Sequence, residues 1–209
     1  MPNPVQIAVV GASGSGKTWL AQRLCSELHP DATHLKLDDF YRDLSPLEPE
    51  DRARVNFDDP GAIDWDRVRS VMAALSSGKP AEVPIYDFAT HTRFPEVRLL
   101  QPAQFVIWDG LWLLRDDWLR LQFSISVFVD CDAGERLARR LARDVLERGR
   151  TPESVRRQYV EQVEPMCRQY VEPQRQLSTC CLASPLAETD FTTLLATIRA
   201  LNTAPRPQH

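Results

Sequence analysis

Eight consecutive residues, Gly11-Ala12-Ser13-Gly14-Ser15-Gly16-Lys17-Thr18, match the pattern G-x-x-x-x-G-K-[ST]. Val5, Ile7, Val9 and Val10 precede them. Such a turn aims backbone N–H groups at phosphate oxygens, and the helix that follows adds the partial positive charge of its N-terminus. In this pattern Lys17 reaches the β- and γ-phosphates of a nucleotide and Thr18 binds Mg²⁺. Three further stretches carry groups that could act on what the cradle holds. Asp38-Asp39-Phe40-Tyr41 follows a short apolar run, so its carboxylates arrive near the phosphates if the run is a strand of an open α/β sheet; the alternative is a polar turn with a capping acid. Asp109 closes the run Phe105–Trp108, the form of a second oxygen ligand for a hard cation, or else of an acid that begins a turn. Arg136, Arg140 and Arg143 recur at i, i+4 and i+7, and Arg148 and Arg150 follow; they form either a solvated helix face or a mobile lid that closes over a triphosphate.

Alternating strand and helix patterns are needed to position these groups. Residues 5–10 read as a central parallel strand. Leu20, Leu24 and Leu28 give the next helix its apolar stripe, ended by Pro30, and His34–Leu37 reads as the second strand. Residues 42–63 are polar and poorly periodic, a long loop of the functional or disordered kind. Asp64 then caps a helix whose buried face is Trp65, Val68, Met72 and Leu75. Val83 to Arg93, with its prolines and aromatics, suggests a short edge hairpin. Ile125–Val129 is a further strand, followed by a long helix with Leu137, Leu141 and Val145 on one face and the arginines on the opposite one. Residues 152–170 form another helix, Thr179–Ala183 a last strand, and Phe191 to Leu201 an amphipathic helix capped by Thr189 or Asp190. Together these predict an α/β fold, a P-loop NTPase-like doubly wound and mostly parallel sheet with helices on both faces, plus a small β-hairpin and an Arg-rich lid at about 136–160. One domain over 1–204 and a disordered tail at 205–209 complete the expectation.

The chain has 209 residues, 43% of them hydrophobic, and a formal net charge of -4. It can bury one substantial core, and without an overall basic field nucleic acid and anionic membrane are unexpected partners. No export signal is visible and no run approaches the roughly 20 apolar residues of a membrane span, so a soluble, cytoplasmic protein is expected. The five cysteines, Cys25, Cys131, Cys167, Cys180 and Cys181, lack metal or redox spacing and read as small core residues in a reducing compartment.

Several segments, in order, resemble the uridine (uridine/cytidine) kinase family of P-loop kinases: GASGSGKT, LDDFYRD, NFDDPGAID, PIYDFATHTR, the strand ending in Asp109-Gly110, and VFVDCDAGERLARRLARDVLERGR followed by Gln158-Tyr159. The resemblance runs from about Val5 to Pro173. It implies transfer of a phosphoryl group from ATP, with Mg²⁺, to the 5′-hydroxyl of a pyrimidine ribonucleoside. It further implies that Asp38 is the catalytic base with Tyr41 nearby, that Asp58 holds the ribose hydroxyls, and that Tyr86 and His91 read the base with Phe88 as a pocket wall. Arg140, Arg143, Arg150 and Gln158 become lid or nucleoside contacts, and a homo-oligomer is implied. Two departures stand out. Trp108-Asp109-Gly110 replaces the usual Phe-Glu-Gly, one methylene shorter, so the metal contact could run through water. Thr179–Ala183 lacks the usual acid before its strand, which leaves ATP or GTP open as donor. Two other functions compete: a related P-loop kinase acting on nicotinamide riboside, pantothenate or a sugar phosphate, and a non-catalytic nucleotide-binding regulatory protein.

Overall fold

The computed structural model describes residues 4–52 and 54–203. In chain order the first half comprises β1 (Val5–Val10), α1 (Lys17–Glu27), β2 (Ala32–Lys36), a 3₁₀ turn Leu37–Phe40, α2 (Pro49–Arg52), α3 (Trp65–Ser76), β3 (Ala81–Asp87) and β4 (Thr92–Leu100). The second half comprises β5 (Phe105–Gly110), α4 (Asp117–Gln122), β6 (Ile125–Asp130), α5 (Ala133–Arg148), α6 (Pro152–Gln158), α7 (Glu164–Met166), β7 (Cys180–Ala183) and α8 (Glu188–Thr203).

All six residues of β1 are buried, which requires hydrogen-bonded neighbours on both edges and apolar layers on both faces. The five-stranded sheet supplies the neighbours in the order β2-β5-β1-β6-β7, every pair parallel. One face packs Ile7, Val9 and Ile107 against Leu20 and Leu24 of α1 and Phe191 and Ile198 of α8. The other packs Val10, Leu35 and Trp108 against Phe40 and against Val68 and Met72 of α3. Gln6 lies inside this apolar layer because the Trp108 Nε1 donates to its Oε1 at 2.8 Å, which removes the cost of two unpaired buried polar groups. Because β1 has β5 on one side and β6 on the other, the turn that leaves its carboxyl end opens into the crevice where ligands bind in such sheets.

The doubly wound sheet and its flanking helices agree with the sequence reading, and several details differ. β2 begins two residues earlier than His34 and ends at Lys36, which leaves Leu37 to Phe40 in a tight 3₁₀ turn. The hairpin spans Ala81 to Leu100 and forms a two-stranded sheet of its own; Val83, Tyr86 and Leu100 bury beside Met72, so it is anchored by packing rather than by strand pairing. α8 starts at Glu188, with the Phe191 N–H donating to the Ala187 carbonyl, so the chain is already turning before Thr189 or Asp190. Of the five free cysteines only Cys167 is buried, while Cys181 is exposed, because the last strand lies at the sheet edge. Residues 152 to 177 run on as one helical path through π-helical turns at Tyr159–Val163 and Cys167–Val171.

The largest difference concerns α5. Arg136 and Arg140 are 5% and 7% exposed, whereas Leu137, Leu141 and Val145 are half-buried. The arginine row therefore faces the protein, since this helix lies along the phosphate turn and the turn's surroundings are polar. Arg148 and the tail 204–209 lie outside the residues whose side chains are described. No described helix is long and apolar enough to cross a membrane.

Candidate functional site

Between β1 and α1 the chain makes the turn expected of residues 11–18. Gly14 has φ +82°, and a Cβ there would lie 2.5 Å from the Arg136 carbonyl oxygen, so only glycine allows α5 to back directly onto the loop. Two arginines of α5 complete this support. Arg139 donates to the carbonyls of Gly14 and Ser15, each at 3.4 Å, and to Ser184 Oγ at 2.9 Å. Arg140 donates to Ser13 Oγ at 3.0 Å. The Ser15 hydroxyl, fully buried, has no hydrogen-bond partner among the described residues. A cavity of about 450 Å³ opens beside Gly16, walled by Trp19, Leu182, Pro185, Leu186 and Arg139.

Thr18 lies in the first turn of α1, and β5 ends opposite it. The Thr18 hydroxyl donates to Asp109 Oδ1 at 3.1 Å, and Asp109 Oδ2 lies 2.7 Å from His34 Nε2. Asp109 is only 4% exposed. Oxygen donors from Thr18 and Asp109, converging beside a phosphate turn, are the set a hard cation such as Mg²⁺ takes.

The 3₁₀ turn after β2 presents Asp38, and burial is the main cause that raises its pKa. Repulsion from Asp109 and Asp58 adds to the rise, and attraction to Lys17 and Arg143 opposes it. Asp58 is raised in the same way, chiefly by burial, against the pull of Arg140, Lys17 and Arg143. Three carboxylates and the loop lysine thus share one electrostatic neighbourhood, although 20 residues of sequence separate Asp38 from Asp58 and 71 separate it from Asp109. Asp39 points elsewhere: burial pushes it up to about 6, and Arg98 at 3.6 Å opposes the shift.

Next to these acids the aromatic residues form a connected group. Ring centroids lie 5.3 Å apart for Tyr41 and Phe57, 5.4 Å for Tyr41 and Tyr86, and 5.2 Å for Tyr86 and Phe88, and His91 stacks on Phe57 at 4.4 Å. The Tyr41 hydroxyl donates to the Phe57 carbonyl at 2.9 Å, which ties the 42–63 loop to the acid-bearing turn. Tyr86 is 6% exposed and its hydroxyl has no partner among the described residues. Arg93 fastens hairpin to turn by donating to the Tyr41 and Phe40 carbonyls at 2.8 and 3.1 Å and to Asp64 at 3.0 Å.

On the far side stand the arginines. Asp144, fully buried, lies 3.6 Å from Arg140, 2.9 Å from Arg143 and 3.5 Å from Arg150. Gln158 Oε1 accepts from Arg140 at 3.1 Å and from Arg150 at 2.5 Å. Arg136 is held apart from them, against Cys167 Sγ at 3.1 Å and Glu164 at 3.4 Å.

The structure therefore gathers residues 11–18, Asp38, Tyr41, Asp58, Tyr86, Phe88, His91, Asp109, Arg140, Arg143, Arg150 and Gln158 along one end of the sheet. Sequence reasoning missed His34, Phe57, Arg93, Arg139 and Asp144. His34 was hidden because an imidazole on an alternating strand looks like any polar strand residue. Asp144 lies amid the arginines of the inward face of α5, and its i, i+4 spacing from Arg140 was a usable signal.

The family model described as "Phosphoribulokinase / Uridine kinase family" matches residues 6–184. A uridine kinase of Brevibacillus brevis is 44% identical over 174 residues, covering 83% of this chain and 81% of that protein. A uridine kinase of Deinococcus deserti is 44% identical over 171 residues, covering 81% and 83%. Among solved structures, phosphoribulokinase from Rhodobacter spheroides superposes with a TM-score of 0.65 at 13% identity, over 87% of this chain and 70% of that one. At that identity the likeness extends to the fold alone.

Proposed function

This chain belongs to the phosphoribulokinase/uridine kinase family and is a P-loop kinase, and from that premise we propose that it transfers the γ-phosphate of ATP to the 5′-hydroxyl of uridine or cytidine. The observation that carries the proposal is the position of Asp38, in the field of Lys17 and Arg143 on one side and beside the aromatic group on the other. A primary alcohol is a weak nucleophile at neutral pH, and a carboxylate whose pKa is raised by burial is a better proton acceptor than an exposed one. Asp38 takes the 5′-hydroxyl proton as the oxygen bonds to the γ-phosphorus and the bond from that phosphorus to the β-phosphate oxygen breaks, with ADP as the leaving group. Lys17 and Arg143 then face the charge that spreads over the equatorial oxygens.

The remaining residues orient the acceptor. Asp58 accepts from the ribose hydroxyls, Tyr41 braces the wall, and Tyr86, Phe88 and His91 enclose the pyrimidine, with the free Tyr86 hydroxyl available to its edge. Arg140, Arg150 and Gln158, already cross-linked, close over the phosphates as the lid of 136–160 and exclude water, which would otherwise compete as acceptor. Thr18 and Asp109 would hold Mg²⁺, which would supply positive charge to offset that of the phosphate oxygens. The apolar cavity beside Gly16 takes the donor base, and its walls carry no side-chain carboxylate or amide to tell adenine from guanine. Five free thiols suit a cytoplasmic setting.

Incubation of the protein with ATP-Mg²⁺ and uridine or cytidine, read by chromatography of the 5′-monophosphate, tests the proposal. Product from either nucleoside supports it, and ATP consumption only with a non-nucleoside alcohol overturns it.

A further inference from the structure

Asp109 uses both oxygens: Oδ1 accepts from Thr18 at 3.1 Å and Oδ2 meets His34 Nε2 at 2.7 Å. The second contact follows from strand register. β2 and β5 run parallel with His34 opposite Ile107 and Lys36 opposite Asp109, so His34 and Asp109 are diagonal neighbours whose side chains leave the sheet on one face. That face is the one covered by α1, whose first turn holds Thr18. The imidazole is enclosed as well, its side chain 13% exposed against 6% for Asp109.

We propose that His34 is a positioning residue for the cation site, holding the Asp109 carboxylate turned toward Thr18 so that a divalent ion finds both oxygens already in place. The inference rests on the reading of Thr18 and Asp109 as the cation pair. An aspartate has two side-chain torsions, and a carboxylate that must direct one oxygen at an ion, or at a water of its hydration shell, loses that freedom on binding unless something else has removed it. The 2.7 Å contact removes it beforehand. Partners of this kind commonly change metal affinity by about 10- to 100-fold. The role needs no change of protonation, since one ring N–H donating to Oδ2 is sufficient.

Manganese, a paramagnetic stand-in for Mg²⁺, gives a readout independent of turnover. Water-proton relaxation can measure Mn²⁺ affinity in the presence of a non-hydrolysable ATP analogue for the wild type, Asp109→Asn, His34→Leu and His34→Asn. Binding of the analogue in excess chelator reports the phosphate turn without metal. Asp109→Asn should weaken Mn²⁺ and establishes the site. His34→Leu, an apolar strand residue that keeps the packing, should weaken Mn²⁺ about tenfold or more while metal-free analogue binding stays within twofold, and His34→Asn, which keeps an N–H donor, should recover part of the loss. If Asp109→Asn weakens Mn²⁺ and both His34 variants bind it like the wild type, the positioning role is wrong. If Asp109→Asn also has no effect, the cation-pair reading is wrong and the role falls with it. Equal weakening of metal-bound and metal-free analogue binding by both His34 variants would mark His34 as a packing residue, and likewise overturns the proposal.

Discussion

Gly110 and Leu37 touch so closely that a Cβ on the glycine would lie 2.5 Å from the Leu37 Cβ. This contact sets the height of the turn Leu37–Phe40 above the sheet, and Asp38 is the next residue along. Gly110→Ala should destabilise the fold by about 1–3 kcal/mol through overpacking and should lower kcat more than it changes the nucleoside KM, because the turn must lift. Urea denaturation with steady-state kinetics checks both; unchanged kcat would mean that the turn relaxes without moving Asp38.

Removing the Asp38 carboxylate tests the chemical step directly. Asp38→Asn should lower kcat about 10²- to 10⁴-fold, the usual range for a lost general base, and leave ATP-analogue affinity by calorimetry nearly intact. Because burial raises the Asp38 pKa, the acidic limb of the wild-type kcat/KM profile should lie above the ordinary carboxylate range. Activity falls as pH drops through that limb, since the protonated acid cannot accept the hydroxyl proton.

Tyr86→Phe should separate stability from recognition. Its hydroxyl is buried without a partner among the described residues, so deleting it should be neutral or stabilising by thermal denaturation. Loss of the same hydroxyl should raise the nucleoside KM by about tenfold if it pairs with the pyrimidine edge. A KM that does not move would place the base elsewhere.

Arg93 holds two carbonyls and Asp64 together. Arg93→Met takes the side-chain donor from the Tyr41 carbonyl and from Asp64 Oδ2, while the Phe40 carbonyl keeps the Asp64 N–H, and should cost about 1–3 kcal/mol in urea denaturation. Weakened nucleoside binding should accompany it, because the hairpin that carries Tyr86, Phe88 and His91 loses its tie to Tyr41.

Asp39 supplies a pH dependence of stability. Burial pushes its carboxyl up to about 6 in the folded protein, against about 3.8 for an aspartate open to water, so the folded state binds the proton more tightly than the unfolded one. Stability from this group is therefore present below about 3.8 and is lost as pH rises toward 6 and beyond. Thermal midpoints of Asp39→Asn should exceed those of the wild type at pH 7, and the gap should narrow as pH falls to 5.

Much of this was legible in the sequence because local rules fix it. The phosphate turn, the apolar run of β1 and the Asp64 cap each depend on residues within a few positions of one another, and Asp109 is marked by the strand that ends on it. What stayed hidden depends on distant packing. The apolar positions of α5 suggested that Leu137 and Leu141 face inward, yet the helix turns Arg136 and Arg140 to the protein because Gly14 draws its backbone onto the turn. His34 and Asp109 become partners only through the β2–β5 register, and Phe57 is tied to Tyr41 through its carbonyl, an atom that every residue has.

The three guanidinium groups around Asp144 have a further consequence. Asp144 lies within 3.6 Å of the guanidinium groups of Arg140, Arg143 and Arg150, and Arg140 and Arg143 also attract Asp58, so the positive charge that a polyanion would meet is held in place by acids. Binding restricted to the folded form raises its apparent stability with ligand concentration. Resistance to proteolysis, and with it the lifetime of the chain, should therefore rise and fall with the supply of triphosphates around it.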